Sequence, residues 1–293
     1  MEAFQKIHPL EFYRKYLVRS VRPDGRSLDD IRKTTISTGS ITTADGSSFV
    51  KIGSTSVVCG VRAEVGEKPS IDKSKFSTLN VHENKNIFIN IELGPICSNT
   101  FSSSKPSDIA MSLCSRLNSL INRLEIPETD YYFDEEGKAL WYLYVDVYCL
   151  DYDGNIYDAA VLSIISALKN VKLPKGIIEN NDEFYKDLES PQRKLNIQHY
   201  LIPLSFSVID DYILADPSLD EEKLSSGTIN ITYNELNEIC LLLSSGTSLI
   251  SKTNLKTCME KAKERSTFII DLINNSNNND NNNNNNNNVE MKE

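Results

Sequence analysis

The spacing of apolar and polar positions changes several times along this chain, and each change marks an element. From Pro9 to Ser20, PLEFYRKYLVRS opens on a proline and sets Leu10, Phe12, Tyr13, Tyr16 and Leu17 along one helical face. That spacing predicts an N-terminal docking helix within residues 1–20. After the turn chemistry of RPDGR at 22–26, residues 34–65 alternate β-branched side chains with Gly and Asp-Gly turns, predicting a meander of three antiparallel strands. Residues 66–86 are polar and Lys-rich and read as a loop; NIFINIEL at 86–93 alternates again as a fourth strand.

The loop at 97–106 leads to a helix over 107–125, with Ile109, Leu113, Leu117, Leu120, Ile121 and Leu124 on one side and Ser107 or Asp108 as its N-cap. In 140–150, Trp141, Leu143, Val145, Val147 and Cys149 alternate with Tyr142, Tyr144, Asp146 and Tyr148, which predicts a strand with one core face and one amphipathic face. The stretch from Ala159 to Val171 is apolar nearly all round, so it is expected as a central helix between a sheet and other helices. Pro174, Asn180, Asn181 and Pro191 punctuate a charged stretch expected to join two units. Beyond it YLIPLSFSVID, YILAD, GTINITYN and EICLLLSS read as four strands, followed by a helix at about 253–273. The expected organisation is a first domain over 21–175, a linker over 176–194 and a second domain over 195–273. The asparagine-rich end, 274–293, cannot bury apolar surface and is expected to be disordered.

Composition narrows the functions open to such a chain. A net charge of −10 argues against a surface that grips nucleic acid everywhere, and leaves room only for local basic contacts. The six cysteines show no CxxC pair and no nearby histidine, so they are expected to be reduced core residues without a zinc site. His8, His82 and His199 lie far apart and give no sign of a catalytic triad. No apolar run is long enough to span a bilayer and no secretory signal opens the chain, so a soluble intracellular protein is expected.

The densest chemistry is LDYDGNIYDAA, which puts Asp151, Asp153 and Asp158 around a Gly-Asn turn. It echoes a calcium loop, but Gly154 comes too early and Tyr157 and Ala159 offer no ligand. Asp153 with Gly154 and Asn155 explains a turn, and Asp158 at the opening of a helix suits the positive end of its dipole.

Residues 22–64, RPDGRSLDDIRKTTISTGSITTADGSSFVKIGSTSVVCGVRAE, resemble the ribonuclease PH family. Within it, residues 141–174 resemble the non-catalytic ring subunits of the RNA exosome, and EFYRKYL, ITTADGSSFVKIG and ALKNVKLP are most similar to its component-eight branch. The resemblance implies an α/β fold: a ribosomal-protein-S5-like βαβ unit followed by a smaller α/β unit. Active members of that family hold phosphate at this same corner with a Gly-Thr-Arg signature. Here Asn155, Ile156 and Tyr157 stand in its place, without the guanidinium fork, and Asp158 is expected to repel phosphate. The family's catalytic carboxylates fall near Asp216, Asp220, Glu221 and Glu222. Of the loop that carries arginines in RNA-binding relatives, only Lys105 remains; Lys51, Arg62 and Arg116 are further candidate RNA contacts.

The resemblance therefore implies a scaffold with no cofactor and no metal. It would pair with another RNase PH-like paralogue in a six-membered ring, under S1/KH-type cap proteins and around an RNA channel, away from any membrane. Its setting would be 3′-to-5′ RNA processing and degradation in nucleus, nucleolus and cytoplasm: rRNA maturation, mRNA turnover and RNA surveillance. The alternative is an active phosphate-dependent exoribonuclease with Arg193 or Lys194 as a displaced phosphate ligand.

Overall fold

A computed structural model describes residues 2–67, 86–98, 100–101, 107–133, 139–179, 183–187 and 192–290. The chain opens with α1 (Glu2–Ile7) and α2 (Pro9–Leu17), followed by β1 (Thr34–Thr38), β2 (Gly46–Ile52) and β3 (Thr55–Glu67). Next come β4 (Ile87–Glu92), α3 (Asp108–Ile121), β5 (Ala139–Asp151) and α4 (Ile156–Asn170). The meander expected over 34–65 is β1 to β3, paired antiparallel in register Ile36↔Val50 and Val50↔Val57. Its sheet continues as β1-β2-β3-β5-β4, and β4 lies parallel to β5 because α3 carries the chain across one face. The Lys-rich stretch and Lys105 lie outside the described residues, apart from the start of that stretch at 66–67, which ends β3, and Asn86.

β5 is buried on alternate residues, Trp141 to Cys149, as its pattern predicts. α3 starts where Ser107 accepts a bond from the Ala110 N–H, but Ile109 points outward; the buried stripe is Ala110, Leu113, Leu117, Leu120 and Ile121. α4 begins three residues earlier than its apolar run, since Asn155 turns left-handed (φ 54°) and places Ile156 first in the helix. Its residues from Ile156 to Leu168 are buried, between β2 and β3 of the first sheet and β10 of a second. A second sheet thus takes much of the side where other helices were expected.

The described residues of the stretch read as a linker form strands. β6 (Lys172–Leu173) just precedes it, and β7 (Lys175–Glu179), β8 (Glu183–Asp187) and β9 (Arg193–Lys194) run through it; β6 pairs with β9, and β7 with β8. Asn180, Asn181 and Pro191, taken as breakers, lie outside the described residues. The four strands expected beyond it are β10 (Ile202–Ile209), β11 (Tyr212–Ala215), β12 (Gly227–Tyr233) and β13 (Ile239–Gly246), in the antiparallel order β11-β10-β12-β13. A short helix, α5 (Leu219–Leu224), which the pattern did not predict, lies between β11 and β12.

Leu204, Phe206, Val208, Ile229 and Ile231 of this sheet pack on Cys258 and Ala262 of α6 (Lys252–Glu290). The α6 helix runs on through the asparagine tract, and Ile273 is the last buried apolar side chain described. α2 docks as expected, with Phe12, Tyr13 and Leu17 against Ile209 and Leu214 of the second sheet. All six cysteines are free thiols, four of them buried. Among the described residues no helix is long and apolar enough to cross a membrane.

Candidate functional site

The acidic corner is the junction between the two sheets. β5 ends at Asp151, whose carboxylate accepts from Ser56 Oγ at 2.8 Å. Gly154 (φ 79°) then brings the backbone so close to the start of α5 that a Cβ there would sit 2.4 Å from the Ser218 carbonyl carbon. Arg32, just before β1, closes the corner. Its Nη1 donates to the Asp153 carbonyl at 2.7 Å, and its Nε and Nη2 grip the two oxygens of Asp216 at 2.8 Å each. Asp216 is fully buried and also accepts from Asn155 Nδ2 at 2.7 Å. Burial alone would push its carboxyl up, but the bonds and charge of Arg32 outweigh it and hold Asp216 below the usual carboxylate range.

Asp158 does not face an incoming anion as expected. It is buried, pointing at β10, where it accepts from Ser205 N–H at 2.9 Å, Ser205 Oγ at 2.6 Å and Asn155 Nδ2 at 2.9 Å. Burial raises its carboxyl despite those bonds. The carboxylate that does meet the start of α4 is Glu222, from α5. It accepts the Asn155 N–H at 2.7 Å and the Tyr152 hydroxyl at 2.9 Å, and its carboxyl is likewise pushed up by burial. The positive end of the helix therefore already carries an internal anion.

A guanidinium is nonetheless present, contributed by α3. Arg116 lies 4.5 Å from the centre of the buried Tyr157 ring and donates to Asn230 Oδ1 at 2.5 Å. Asn230 in turn donates to Ser205 Oγ at 2.6 Å. Arg116, Tyr157, Asn155, Ser205, Glu222 and Asn230 line a pocket of about 370 Å³.

Of the residues singled out in the sequence, Asn155, Ile156, Tyr157, Asp158 and Arg116 come together here. Lys51 and Arg62 do not: both are exposed on the outward face of the first sheet, where Arg62 pairs with Glu64 and lies over Tyr144. The acids of 213–223 separate. Asp220 is exposed beside Lys223, Glu221 closes a capping box with Ser218, and only Asp216 and Glu222 reach the corner. Arg193 donates to the Tyr132 carbonyl at 2.6 Å from β9, beside the far end of α4, roughly 20 Å along the helix from the corner. Neither it nor Lys194 supplies the corner. Among the described residues no three His, Cys, Asp or Glu side chains are grouped to hold a metal ion.

Sequence reasoning missed Arg22, Arg26 and Arg32. Arg22 is fully buried, donating to the Leu28 and Ala215 carbonyls at 2.5 Å and to Glu221 at 3.3 Å. The signal available in RPDGRSLDDIRK was four basic and three acidic residues interleaved around turn residues.

Residues 30–174 match the 3′ exoribonuclease family, domain 1, and residues 199–265 match domain 2 of the same family. The chain belongs to the 3′ exoribonuclease family. Its two sheets are the family's two domains, in agreement with the RNase PH resemblance. The chain is 32% identical to the exosome complex component rrp43 of Schizosaccharomyces pombe, over 89% of its own length and 94% of that protein's. It is 29% identical to the exosome complex component Rrp42 of Methanothermobacter thermautotrophicus, over 87% and 90%. Among solved structures, a chain of the Archaeoglobus fulgidus exosome with RNA bound to the active site superposes with a TM-score of 0.70, at 28% identity over 89% of this chain and 96% of that one. A chain of an archaeal exosome core gives 0.68 at 26% identity, over 90% and 95%.

Proposed function

We propose that this chain is a structural subunit of an exosome core ring, with no phosphorolytic site of its own. The observation that carries the second part is Glu222. A phosphate entering at the start of α4 would have to displace a carboxylate bonded to the Asn155 N–H at 2.7 Å, with Tyr157 where the family signature has arginine. Arg116, the one guanidinium among the described residues that line the pocket, is committed to the Tyr157 ring and the Asn230 amide. The ring reading is supported by relatives that are exosome complex components along nearly their whole length.

In this reading the chain pairs with a different RNase PH-like paralogue in a six-membered ring, carries S1/KH-type caps and helps enclose an RNA channel. Its work is 3′-to-5′ processing and decay of rRNA and mRNA in nucleus, nucleolus and cytoplasm, with hydrolysis or phosphorolysis done by other subunits. The test is to purify the native assembly through this chain and follow phosphate-dependent release of nucleoside diphosphates from RNA. Arg116→Ala is expected to leave that rate within twofold of the wild-type assembly. A tenfold loss at unchanged subunit composition would place phosphorolysis in this pocket.

A further inference from the structure

A cavity of about 180 Å³ opens on the second domain where the loop before β1, the β10–β11 hairpin and the first turns of α6 meet. Its α6 wall is one helical stripe, Asn254, Thr257, Cys258 and Lys261, spaced i, i+3, i+4 and i+7. Its floor is apolar, made by the buried Phe206 and Cys258 together with Ile213. Two exposed carboxylates, Asp29 and Asp211, stand at its mouth, and neither has an ion pair among the described residues. Asp210, next to Asp211, is already gripped by Arg14 at 2.7 and 2.9 Å. Lys261, the one cation among the described residues that line the cavity, is paired with Glu264 at 3.4 Å. The charge of Asp29 is felt at the floor: burial, and then that carboxylate, push the Cys258 thiol up to about 11. β11 adds backbone groups. The Ala215 N–H turns away from β10 to the Leu28 carbonyl at 2.9 Å, so Ile213, two residues back on the same strand, also turns its N–H and C=O outward, beside the cavity.

We propose that this cavity is a docking socket for a short basic segment of a partner protein: one lysine or arginine side chain lays its aliphatic stem on Phe206, Ile213 and Cys258 and sets its charged head between Asp29 and Asp211, while the segment's backbone bonds to Ile213. The inference goes beyond the ring-subunit reading and does not depend on it. The cavity is smaller than the roughly 300 Å³ at which small-molecule sites begin, so a single side chain fills it. An apolar floor under an anionic mouth matches the two halves of a lysine or arginine side chain. Unpaired carboxylates disfavour a phosphate backbone, and two chains of net −10 repel each other, which selects against RNA and against a second copy. A socket one side chain wide beside a four-residue strand has the scale of a linear segment, far below the ~800 Å² per partner of a stable subunit face.

The experiment places a photo-crosslinking amino acid at position 254, on the rim, in the full chain in its own cells. The assembly is purified through a tag, and the joined peptide is identified by mass spectrometry. The expected result is a crosslink to a protein segment outside any folded domain, with a lysine or arginine beside the joined residue. A crosslink to RNA, to a second copy, to a folded domain or to a segment without a basic residue, or no crosslink at all, overturns the proposal. Asp29→Lys and Asp211→Lys are both exposed changes, expected to leave the co-purifying subunits as they are and to lower the crosslink yield at least tenfold. Glu92→Lys, the same change of charge on the exposed face of the first sheet, is expected to keep the yield within twofold. Changing the identified basic residue of the partner to glutamate is expected to restore the crosslink to the Asp29→Lys chain. A yield that persists in both aspartate variants, or that the reversed partner fails to restore, overturns the charge pairing and the socket with it. A purified assembly without any RNase PH-like paralogue would defeat the ring reading alone, since the crosslink is read from the joined peptide whatever else is present.

Discussion

Asp216→Asn is expected to destabilise the chain by about 3–5 kcal/mol at neutral pH, a drop of roughly 10 °C in its unfolding midpoint within the assembly. The substitution keeps the shape and removes the charge, so Arg32, only 10% exposed, loses the carboxylate that holds its Nε and Nη2 at 2.8 Å. A buried guanidinium left with only the half-exposed Asp153 carboxylate at 3.5 Å is the costly outcome, more so than loss of the pair as a whole. The pH dependence has a definite sign. Asp216 is held below its ordinary value in the folded chain, so its stabilisation is complete above the unfolded aspartate value, near 4, and is lost as pH falls through the lower folded value. The gap between wild type and variant should therefore be constant from about pH 7 to pH 5 and close only below about pH 4. Thermal proteolysis of the purified assembly across that range, reading this chain's band, measures it. A gap that instead widens on acidification would mean that the Arg32 grip on Asp216 is not what stabilises the corner.

Gly154→Ala should cost about 3 kcal/mol, again at the corner but for a different reason. One part is the left-handed backbone at φ 79°. The larger part is steric: the new methyl would meet the backbone of Ser218 at 2.4 Å, Leu219 at 2.5 Å and Pro217 at 2.6 Å, pushing the first sheet's corner away from α5. Gly25→Ala isolates the first part, because Gly25 is also left-handed (φ 89°) and a Cβ there meets nothing within 4 Å. It should cost only about 1 kcal/mol. Equal losses at the two sites, read as urea midpoints of the assembly-bound chain, would contradict the close approach of the two sheets.

The elements legible in the sequence were those whose burial follows one local period. β5 and the β1 to β3 meander alternate in sequence as they do in burial, and α3 differs from expectation at its two ends, where Ile109 is exposed and the helix stops at Ile121, leaving the buried Leu124 beyond it. α5 was missed because its acids looked like a solvated run. Yet Ser218 and Glu221 are three apart, the spacing of a capping box, and Glu221 and Glu222 turn inward toward Arg22 and Asn155. The acids of the corner stand out in the sequence, but their partners do not. That Tyr157 stands where the resemblance implies an arginine can be read in the sequence, whereas Arg116 and Glu222 reach the pocket from α3 and α5, some 40 and 65 residues away, and local spacing carries no trace of that. The same holds for Arg32 and Asp216, 184 positions apart, a pairing set by how the two domains meet.

What the chain assembles with decides between a scaffold and a self-sufficient enzyme, and native mass spectrometry of the complex purified through this chain at low salt reads it directly. The expected spectrum is a ring holding one copy of this chain with several different RNase PH-like subunits. A ring built only of this chain would contradict the scaffold assignment, because any phosphate site would then have to be made from Arg116, Tyr157 and Glu222 themselves.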